Sequence, residues 1–338
     1  MTPFLSAEAG SNQVTKAFRF YETGGPEVMR LEEIALGDPG PGQVRIRHAA
    51  VAVNYRDVLV RRGVHRVAAL PSGLGLESAG VIEAIGADVA GFSIGDRVAC
   101  VAGPDGAYAE ARLAPAARVV PLPDGIDART AAAMMIRGMT ARYLLHETYP
   151  VKAGDTILVH AAAGGVGTIM CQWAKHLGAT VIGTVGSAEK AAVARAHGCD
   201  HPIVYTAQDF AAEVRAITKG AGVPVVYDSV GKATFEGSLN CLARRGVLAS
   251  FGEASGDPDP IPPRRLGMLG SIYVTHPSLG DYTATRAELL ANANDLFDMV
   301  TSGKITIAIS AEYALADAPR AHADLEQRRT TGSIVLIP

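Results

Sequence analysis

The chain has 338 residues, 48% of them hydrophobic and 19% charged, with a net charge of −3. That length holds two domains, each with its own core, and the composition excludes a largely disordered chain. The weak charge provides no field to gather nucleic acid or an anionic membrane, and no apolar run approaches the roughly 20 residues that span a bilayer. Cys100, Cys171, Cys199 and Cys241 are scattered without a CxxC pair. Neither a disulfide framework nor a structural zinc site is expected, and a reducing cytoplasm suits them.

Met1 to Asn12 lack the basic start and apolar stretch of a signal peptide and are expected to form a mobile extension. From Thr15 to about Arg137, short strands alternate with glycine turns. The loop Gly37-Asp38-Pro39-Gly40-Pro41-Gly42 leads into a long strand that includes Val44, Ile46 and Ala49 to Val53. Gly80 to Gly86, Gly95 to Val98 and Tyr108 to Leu113 supply further strands. This is the pattern of an antiparallel, barrel-like unit. From roughly Gly138 to Pro277, strands alternate with helices instead, as in a parallel sheet with crossover connections.

Within that stretch, Thr156 to His160 is an apolar run suited to a buried strand, and Ala161-Ala162-Ala163-Gly164-Gly165-Val166-Gly167 follows at once. Ala162, Gly164 and Gly167 occupy the three positions of the dinucleotide-binding fingerprint, with alanine in the first. Small residues there let the backbone turn tightly and approach a pyrophosphate. Val166, Ile169, Met170, Trp173, Ala174 and Leu177 fall on one helical face, and Gly178 is a C′ stop. The helix N-terminus directs free amides at the turn, where phosphate would lie. A glycine turn between strand and helix also occurs without any ligand. The complete strand–turn–helix–strand unit is what favours a dinucleotide.

The next strand, Thr180 to Val185, ends at Gly186-Ser187, and position 187 lies 20 residues past Gly167. NAD-binding folds carry an acid near that spacing, for the ribose hydroxyl. Here Ser187 and then Lys190 occupy the region, while Glu189 falls inside the following helix. A hydroxyl and an ammonium suit a 2′-phosphate that a carboxylate would repel, so NADPH is the expected cofactor. Lys190 equally suits an exposed helix start. Ile203 to Tyr205, Val223 to Tyr227, Val247 to Phe251 and Ser271 to Thr275 continue the parallel sheet, with crossover helices at Phe210 to Lys219 and Thr234 to Ala243. A helix from Arg286 to Ser302, stopped by Gly303, leads to strands and a short helix expected to return to the first domain.

With these segments the chain resembles the medium-chain dehydrogenase/reductases, and within them the zinc-independent NADPH:quinone oxidoreductases, the group that includes zeta-crystallin. The similarity is carried by Gly24-Gly25-Pro26-Glu27-Val28, Leu70 to Gly75, His160 through Ala174, Tyr227-Asp228-Ser229-Val230-Gly231, Arg244-Arg245-Gly246, Tyr273-Val274-Thr275 and Leu336-Ile337-Pro338. It implies an α/β fold: a doubly wound, Rossmann-type NADPH-binding domain (138–282) and a mainly antiparallel, GroES-like catalytic domain (1–137, completed by 283–338). Zinc-dependent relatives carry a catalytic Cys after the long strand and a His in Gly-His-Glu. Here those places read Val53-Asn54-Tyr55 and Gly75-Leu76-Glu77, and leucine cannot bind zinc. Glu77 reads as a structural or solvated acid.

The resemblance places Asn54, Asp57 and Thr140 along the nicotinamide and substrate cleft, as catalytic candidates. It assigns Ala162, Gly164, Gly165, Val166 and Gly167 to the pyrophosphate, and Gly186, Ser187, Lys190, Tyr205 and Arg328 to the adenosine 2′-phosphate. Phe251, Gly252, Val274 and Thr275 would line the nicotinamide end. Asn54 and Asp57 also suit a plain polar turn, Thr140 a helix position, Tyr205 a strand end and Arg328 a solvated helix end. At the substrate end the chain departs from the family: Leu59 and His65 replace tyrosines and His276 replaces an arginine.

Hydride transfer to an electron-poor acceptor is the implied chemistry. A quinone needs little acid assistance because its developing charge spreads over the ring and two oxygens, so the protein's task is positioning in a dry cleft. Quinones lead as acceptors, and reduction of an activated C=C bond in an enone or alkenal is the alternative. An RNA-binding or structural role, as associated with zeta-crystallin-like proteins, is a reading of another class, disfavoured by the charge of −3. A homodimer joined near Ser271 to Thr275 is expected from the resemblance, with neither a membrane nor a nucleic-acid partner.

Overall fold

The computed structural model describes residues 13–101 and 105–338, which separate into two compact units. The expected N-terminal extension, Met1 to Asn12, lies outside the described residues.

The first unit runs through Ala132 and takes back Glu312–Gln327 and Val335–Pro338. Its strands are β1 (Val14–Phe20), β2 (Arg30–Ala35), β3 (Gln43–Val53), β4 (Ser72–Gly73), β5 (Ser78–Ile85), β6 (Arg97–Cys100), β7 (Ala111–Pro115) and β8 (Val119–Pro121), and helix α1 (Tyr55–Arg61) follows β3. In β3 the residues Val44, Ile46, His48 and Ala50 are buried while Arg47 and Ala49 face solvent, the two-residue alternation of a half-covered strand. Its far end, Ala50 to Val53, is buried throughout. β3 runs antiparallel to β5, with Val44 opposite Ile85 and Ile46 opposite Ile82, and antiparallel to β7. Val44, Ile46, Ile82, Val98, Cys100, Ala114 and Val119 form the core beneath.

Two expected strands begin later than their sequence suggests. Gly95, at φ +94, still belongs to the turn before β6. Tyr108 bonds through its amide to Leu74 O, a loop partner, so β7 starts only at Ala111.

Helix α2 (Ala128–Tyr143) leads into the second unit, Ala133–Ala311 with Arg328–Ile334. There β9 (Thr156–Val159), α3 (Gly165–His176), β10 (Thr180–Val185), α4 (Ala188–Ala196), β11 (His201–Val204), α5 (Phe210–Ile217), β12 (Val223–Asp228), α6 (Phe235–Cys241), β13 (Leu242–Ser250), α7 (Pro263–Met268), β14 (Tyr273–Thr275) and α8 (Arg286–Thr301) follow in turn. The six strands are all parallel, in the order β11-β10-β9-β12-β13-β14. That is the doubly wound arrangement, and the strand order reverses between β9 and β12. Leu158, Ile182, Val226 and Leu248 from four adjacent strands pack with Phe235 and Leu239 of α6.

The chain ends with β15 (Ile309–Ala314), α9 (Ala318–Glu326) and β16 (Ser333–Ile337), whose strands extend the β3 sheet in the order β15-β16-β3. Not all of 283–338 is grouped with the first unit, because α8 packs on α2 within the second. Leu296 fills the space left by Gly138, where a Cβ would meet Leu296 Cδ1 at 2.5 Å, and Asn292 Nδ2 donates to Met139 O at 3.4 Å. Among the described residues, no helix is long and apolar enough to cross a membrane.

Candidate active site

The strand order reverses where β9 runs into the glycine turn, and the turn is shaped by what its neighbours lack. A Cβ on Gly167 would lie 2.3 Å from Ala161 O, so only glycine allows the helix this close to the turn. Ala162 takes the first fingerprint position because Gly183 on β10 has no side chain: a Cβ there would stand 2.6 Å from the Ala162 Cβ. Ala162 N–H donates to Thr184 O and Gly164 N–H to Ala161 O, so the turn is tied to the adjacent strand. Gly164 is the N-cap of α3, leaving the first amides of that helix, at Gly165, Val166 and Gly167, without intrahelical acceptors. Gly332 N–H donates to Ala163 O at 3.1 Å, which lays the segment before β16 along the turn.

Below the turn, a buried polar network joins the carboxyl ends of three strands. Asp228 Oδ1 accepts from Val230 N–H and Gly231 N–H, and its Oδ2 accepts from the Ser238 hydroxyl at 2.9 Å. Ser238 Oγ therefore accepts from His160 Nε2–H at 2.9 Å, and His160 Nδ1 accepts from the Thr184 hydroxyl at 2.8 Å. Burial holds the His160 pKa below its ordinary value, against the pull of Asp228. The imidazole is thus a neutral connector between β9, β10 and β12.

The structure brings together Gly186, Ser187, Lys190, Tyr205 and Arg328, the residues that the resemblance assigns to the adenosine end. Ser187 caps α4, accepting from Lys190 N–H at 3.3 Å. Lys190 Nζ reaches across to donate to Arg328 O at 2.7 Å, and Arg328 Nη1 donates to the Tyr205 hydroxyl at 3.4 Å. That hydroxyl stands over Gly186, 3.0 Å from where a Cβ would be. Partial burial and the neighbouring Arg328 charge both push the Lys190 pKa down. Neither cation is ion-paired among the described residues, while Glu189 is exposed. Two like charges held side by side repel each other, and a neighbouring anion would relieve that repulsion.

The remaining sequence-assigned residues of this unit occupy several places. Phe251 N–H donates to Asp228 O, and Gly252 packs so closely on Ser229 that a Cβ would lie 2.9 Å from its carbonyl oxygen. Val274 and Thr275, half-buried on β14, pair with Leu248 and Ala249. Thr140 is nearly buried on α2, in hydrogen-bonding reach of Tyr143, whose ring stacks on Tyr282. His276 is exposed. Arg137, which sequence reasoning passed over, lies with its guanidinium against Gly165, 2.5 Å from the position of a Cβ there. An arginine within the apolar stretch Ala131 to Met139 was its one signal.

In the first unit, Asn54 and Asp57 meet as the two halves of a capping box at the start of α1. Asn54 N–H donates to Asp57 Oδ2 at 2.9 Å, and Asn54 Nδ2 donates to the fully buried Glu77 at 3.1 Å. Burial pushes the Asp57 pKa up to about 6, opposed by the bonds from Asn54 and Tyr108. Leu59 is buried on the same helix, and half-buried His65 closes the following turn through its amide to Leu59 O. Tyr108 and His322 also join this cluster, and nothing in the local sequence marked either of them.

A quinone oxidoreductase of Pseudomonas aeruginosa is 49% identical over 328 residues, covering 96% of this chain and 100% of that protein. This chain belongs to the zinc-independent quinone oxidoreductases of the medium-chain dehydrogenase/reductase family. Quinone oxidoreductases of this kind also supply a fold match: the crystal structure of the Escherichia coli quinone oxidoreductase complexed with NADPH superposes with a TM-score of 0.94 at 43% identity, covering 96% of this chain and 100% of the other. A 2-haloacrylate reductase of a Burkholderia species is 46% identical over 324 residues, covering 94% of this chain and 97% of that protein. Residues 40–124 match the family model described as alcohol dehydrogenase GroES-like domain, and residues 165–295 the one described as zinc-binding dehydrogenase. The place where zinc-dependent relatives carry Gly-His-Glu reads Gly75-Leu76-Glu77 here, and Glu77 accepts from Asn54 Nδ2.

Proposed function

We propose that this quinone oxidoreductase transfers a hydride from NADPH to a quinone. The Lys190–Arg328 pair carries the cofactor half of this reading: two neighbouring cations beside the Tyr205 hydroxyl suit a 2′-phosphate, and NADH has none to offer them. The residues fit the coenzyme in kind. Small residues at Ala162, Gly164 and Gly167 leave room for a pyrophosphate, with the α3 amides and Arg137 behind it, and Phe251, Gly252, Val274 and Thr275 line the carboxyl edge of the sheet. When bound, NADPH would supply a hydride, one proton with two electrons, and the reduced quinone would take its second proton from water. By resemblance, Asn54 and Asp57 are the acceptor-side residues of the first unit, with Leu59 and His65 near them in sequence, and Thr140 and His276 are those of the second. The acceptor half is supported by the near-complete match to a quinone oxidoreductase.

Reduction of an activated C=C bond is the second reading, favoured by the 46% identity to a 2-haloacrylate reductase. Parallel assays of the purified protein with a simple quinone, an alkenal and a haloacrylate decide between them. The largest kcat/KM is expected on the quinone with NADPH, and a larger value on either alkene would reverse the order. A cytoplasmic homodimer belongs to the same proposal. Its support is the set of free, buried cysteines and the edge strand β14, where Tyr273 is exposed, as is Met268 at the end of the preceding helix α7.

A further inference from the structure

The cofactor reading leaves unused a buried series of polar side chains in the first unit. Arg61 Nη1 on α1 stands 3.1 Å from His322 Nδ1 on α9, His322 Nε2 stands 2.9 Å from the Tyr108 hydroxyl, and that hydroxyl is 3.0 Å from Asp57 Oδ2. All four side chains are fully buried. Their end groups fix the direction of every bond. A guanidinium only donates, so His322 Nδ1 accepts and its proton sits on Nε2. Tyr108 accepts that N–H and gives its own hydrogen to Asp57. Burial and the Arg61 charge push the His322 pKa down to about 3, so the ring stays neutral and the direction holds at physiological pH.

Asp57 Oδ2 consequently accepts twice, from Tyr108 and from Asn54 N–H. Oδ1 is buried and accepts no hydrogen bond among the described residues. A proton that reaches this carboxyl must therefore settle on Oδ1, since donors already occupy Oδ2. Several further charges surround it. Arg56, paired with Asp105 at 2.8 Å, favours the carboxylate, and Asp105 itself opposes it. Glu77 faces Asn54, and Glu326 holds Arg61 Nη2 at 2.8 Å with Arg62 at 4.0 Å. Loss of hydration outweighs these contacts and raises the Asp57 pKa, while the Tyr108 bond works in the other direction.

We propose that Tyr108 and His322, backed by Arg61, are positioning residues for the reduction: they hold Asp57 Oδ2 against the Asn54 amide, leave Oδ1 as the sole proton-carrying atom, and so set the pH range over which the Asn54–Asp57 turn is correctly oriented. The proposal rests on the reading of Asn54 and Asp57 as acceptor-side residues. Protonation of Asp57 weakens its oxygens as acceptors, loosens the cap, and lowers turnover on the acid side.

The test is the pH dependence of kcat/KM for a simple quinone at saturating NADPH, in wild type and in Tyr108→Phe, His322→Phe and His322→Gln. Tyr108→Phe removes a bond that favours the carboxylate, so the acid limb is expected to move up by roughly half to one pH unit. His322→Phe should follow it. His322→Gln should restore the wild-type limb, because its amide both accepts from Arg61 and donates to Tyr108. NADPH affinity should be unchanged in all three. Equal pH profiles, with a loss of rate that is the same at every pH, would overturn the proposal.

Carbon NMR of aspartate-labelled wild type gives a second reading that needs no folded variant of the series. One carboxyl is expected to titrate well above the others, and its absence overturns the proposal. Asp57→Asn identifies that signal. Should the wild type reduce no acceptor, the functional reading falls, and the movement of this signal in Tyr108→Phe alone decides whether Tyr108 sets Asp57.

Discussion

Replacement of Lys190 and Arg328 by alanine tests the cofactor assignment most directly, and the two positions are not equivalent. Arg328 is exposed and offers its guanidinium to Tyr205 and to any anion beside it. Lys190 is half-buried and also ties down the backbone of Arg328 through its carbonyl. A hydrogen bond to a charged group contributes on the order of 1.5–3 kcal/mol, and solvent screening places the exposed Arg328 at the lower end. Arg328→Ala should therefore raise the KM for NADPH about tenfold. Lys190→Ala removes one cation and releases the other, so its effect should approach a hundredfold. The double variant should fall short of the product of the single effects, because the first loss already contains part of the second.

The KM for NADH should move less than about threefold throughout, and the wild-type preference for NADPH should shrink as ionic strength rises. Steady-state kinetics with both coenzymes at two salt concentrations provides the measurement. Equal losses for NADPH and NADH would mean that the two cations serve the fold and not the 2′-phosphate.

Asp57→Asn should change the pH dependence of stability. The Asp57 pKa rises from 3.8 to about 6 on folding, roughly two units or about 3 kcal/mol. Below the unfolded value both states hold the proton and nothing is lost; as pH rises through 6 the native state must carry a buried carboxylate. Urea unfolding between pH 3 and 7 should show wild type losing about 3 kcal/mol relative to the variant, and parallel curves would refute the assignment. Gly167→Ala places a Cβ 2.3 Å from Ala161 O, a backbone atom with no freedom to yield. It should cost about 1–3 kcal/mol of stability and at least tenfold in NADPH affinity by fluorescence titration. Ser238→Ala leaves His160 Nε2–H without its acceptor, while Asp228 Oδ2 keeps the Thr234 hydroxyl, and should cost about 1–3 kcal/mol, at every pH between 6 and 8, in the same urea assay.

The parallel sheet was legible because each strand is an apolar run bounded by small or turn-forming residues, and because Ala162, Gly164 and Gly167 have no room for larger side chains. α1 and α2 were not legible in the same way. α1 has only seven residues and begins inside what reads as a polar turn after β3. α2 is buried over nearly its whole length, so its apolar residues, Ala131 to Met135 among them, show no single face to the eye. The site divides along similar lines. Ser187, Lys190 and the glycine turn lie within one βαβ unit and announce themselves by spacing. Tyr108 and His322 are 214 residues apart and come together only when α9 returns to the first unit. No local pattern encodes such a meeting.

The two buried Asp–hydroxyl–His series show why one is read as scaffold and the other as machinery. In the second unit Asp228 receives donors on both oxygens, Ser238 links it to His160, and Thr184 completes the far side. A network satisfied at every atom rigidifies what it touches and gains nothing from a change of charge. Asp57 has the same kind of partners on one oxygen and, among the described residues, none on the other, with a fixed cation three links away. Substitution to asparagine would keep the cap and remove the charge, but it would set two unpartnered amide hydrogens where Oδ1 stands. Retaining the acid, with a tyrosine and a neutral histidine arranged so that every hydrogen points towards it, makes sense where the state of that carboxyl matters to the chemistry beside Asn54.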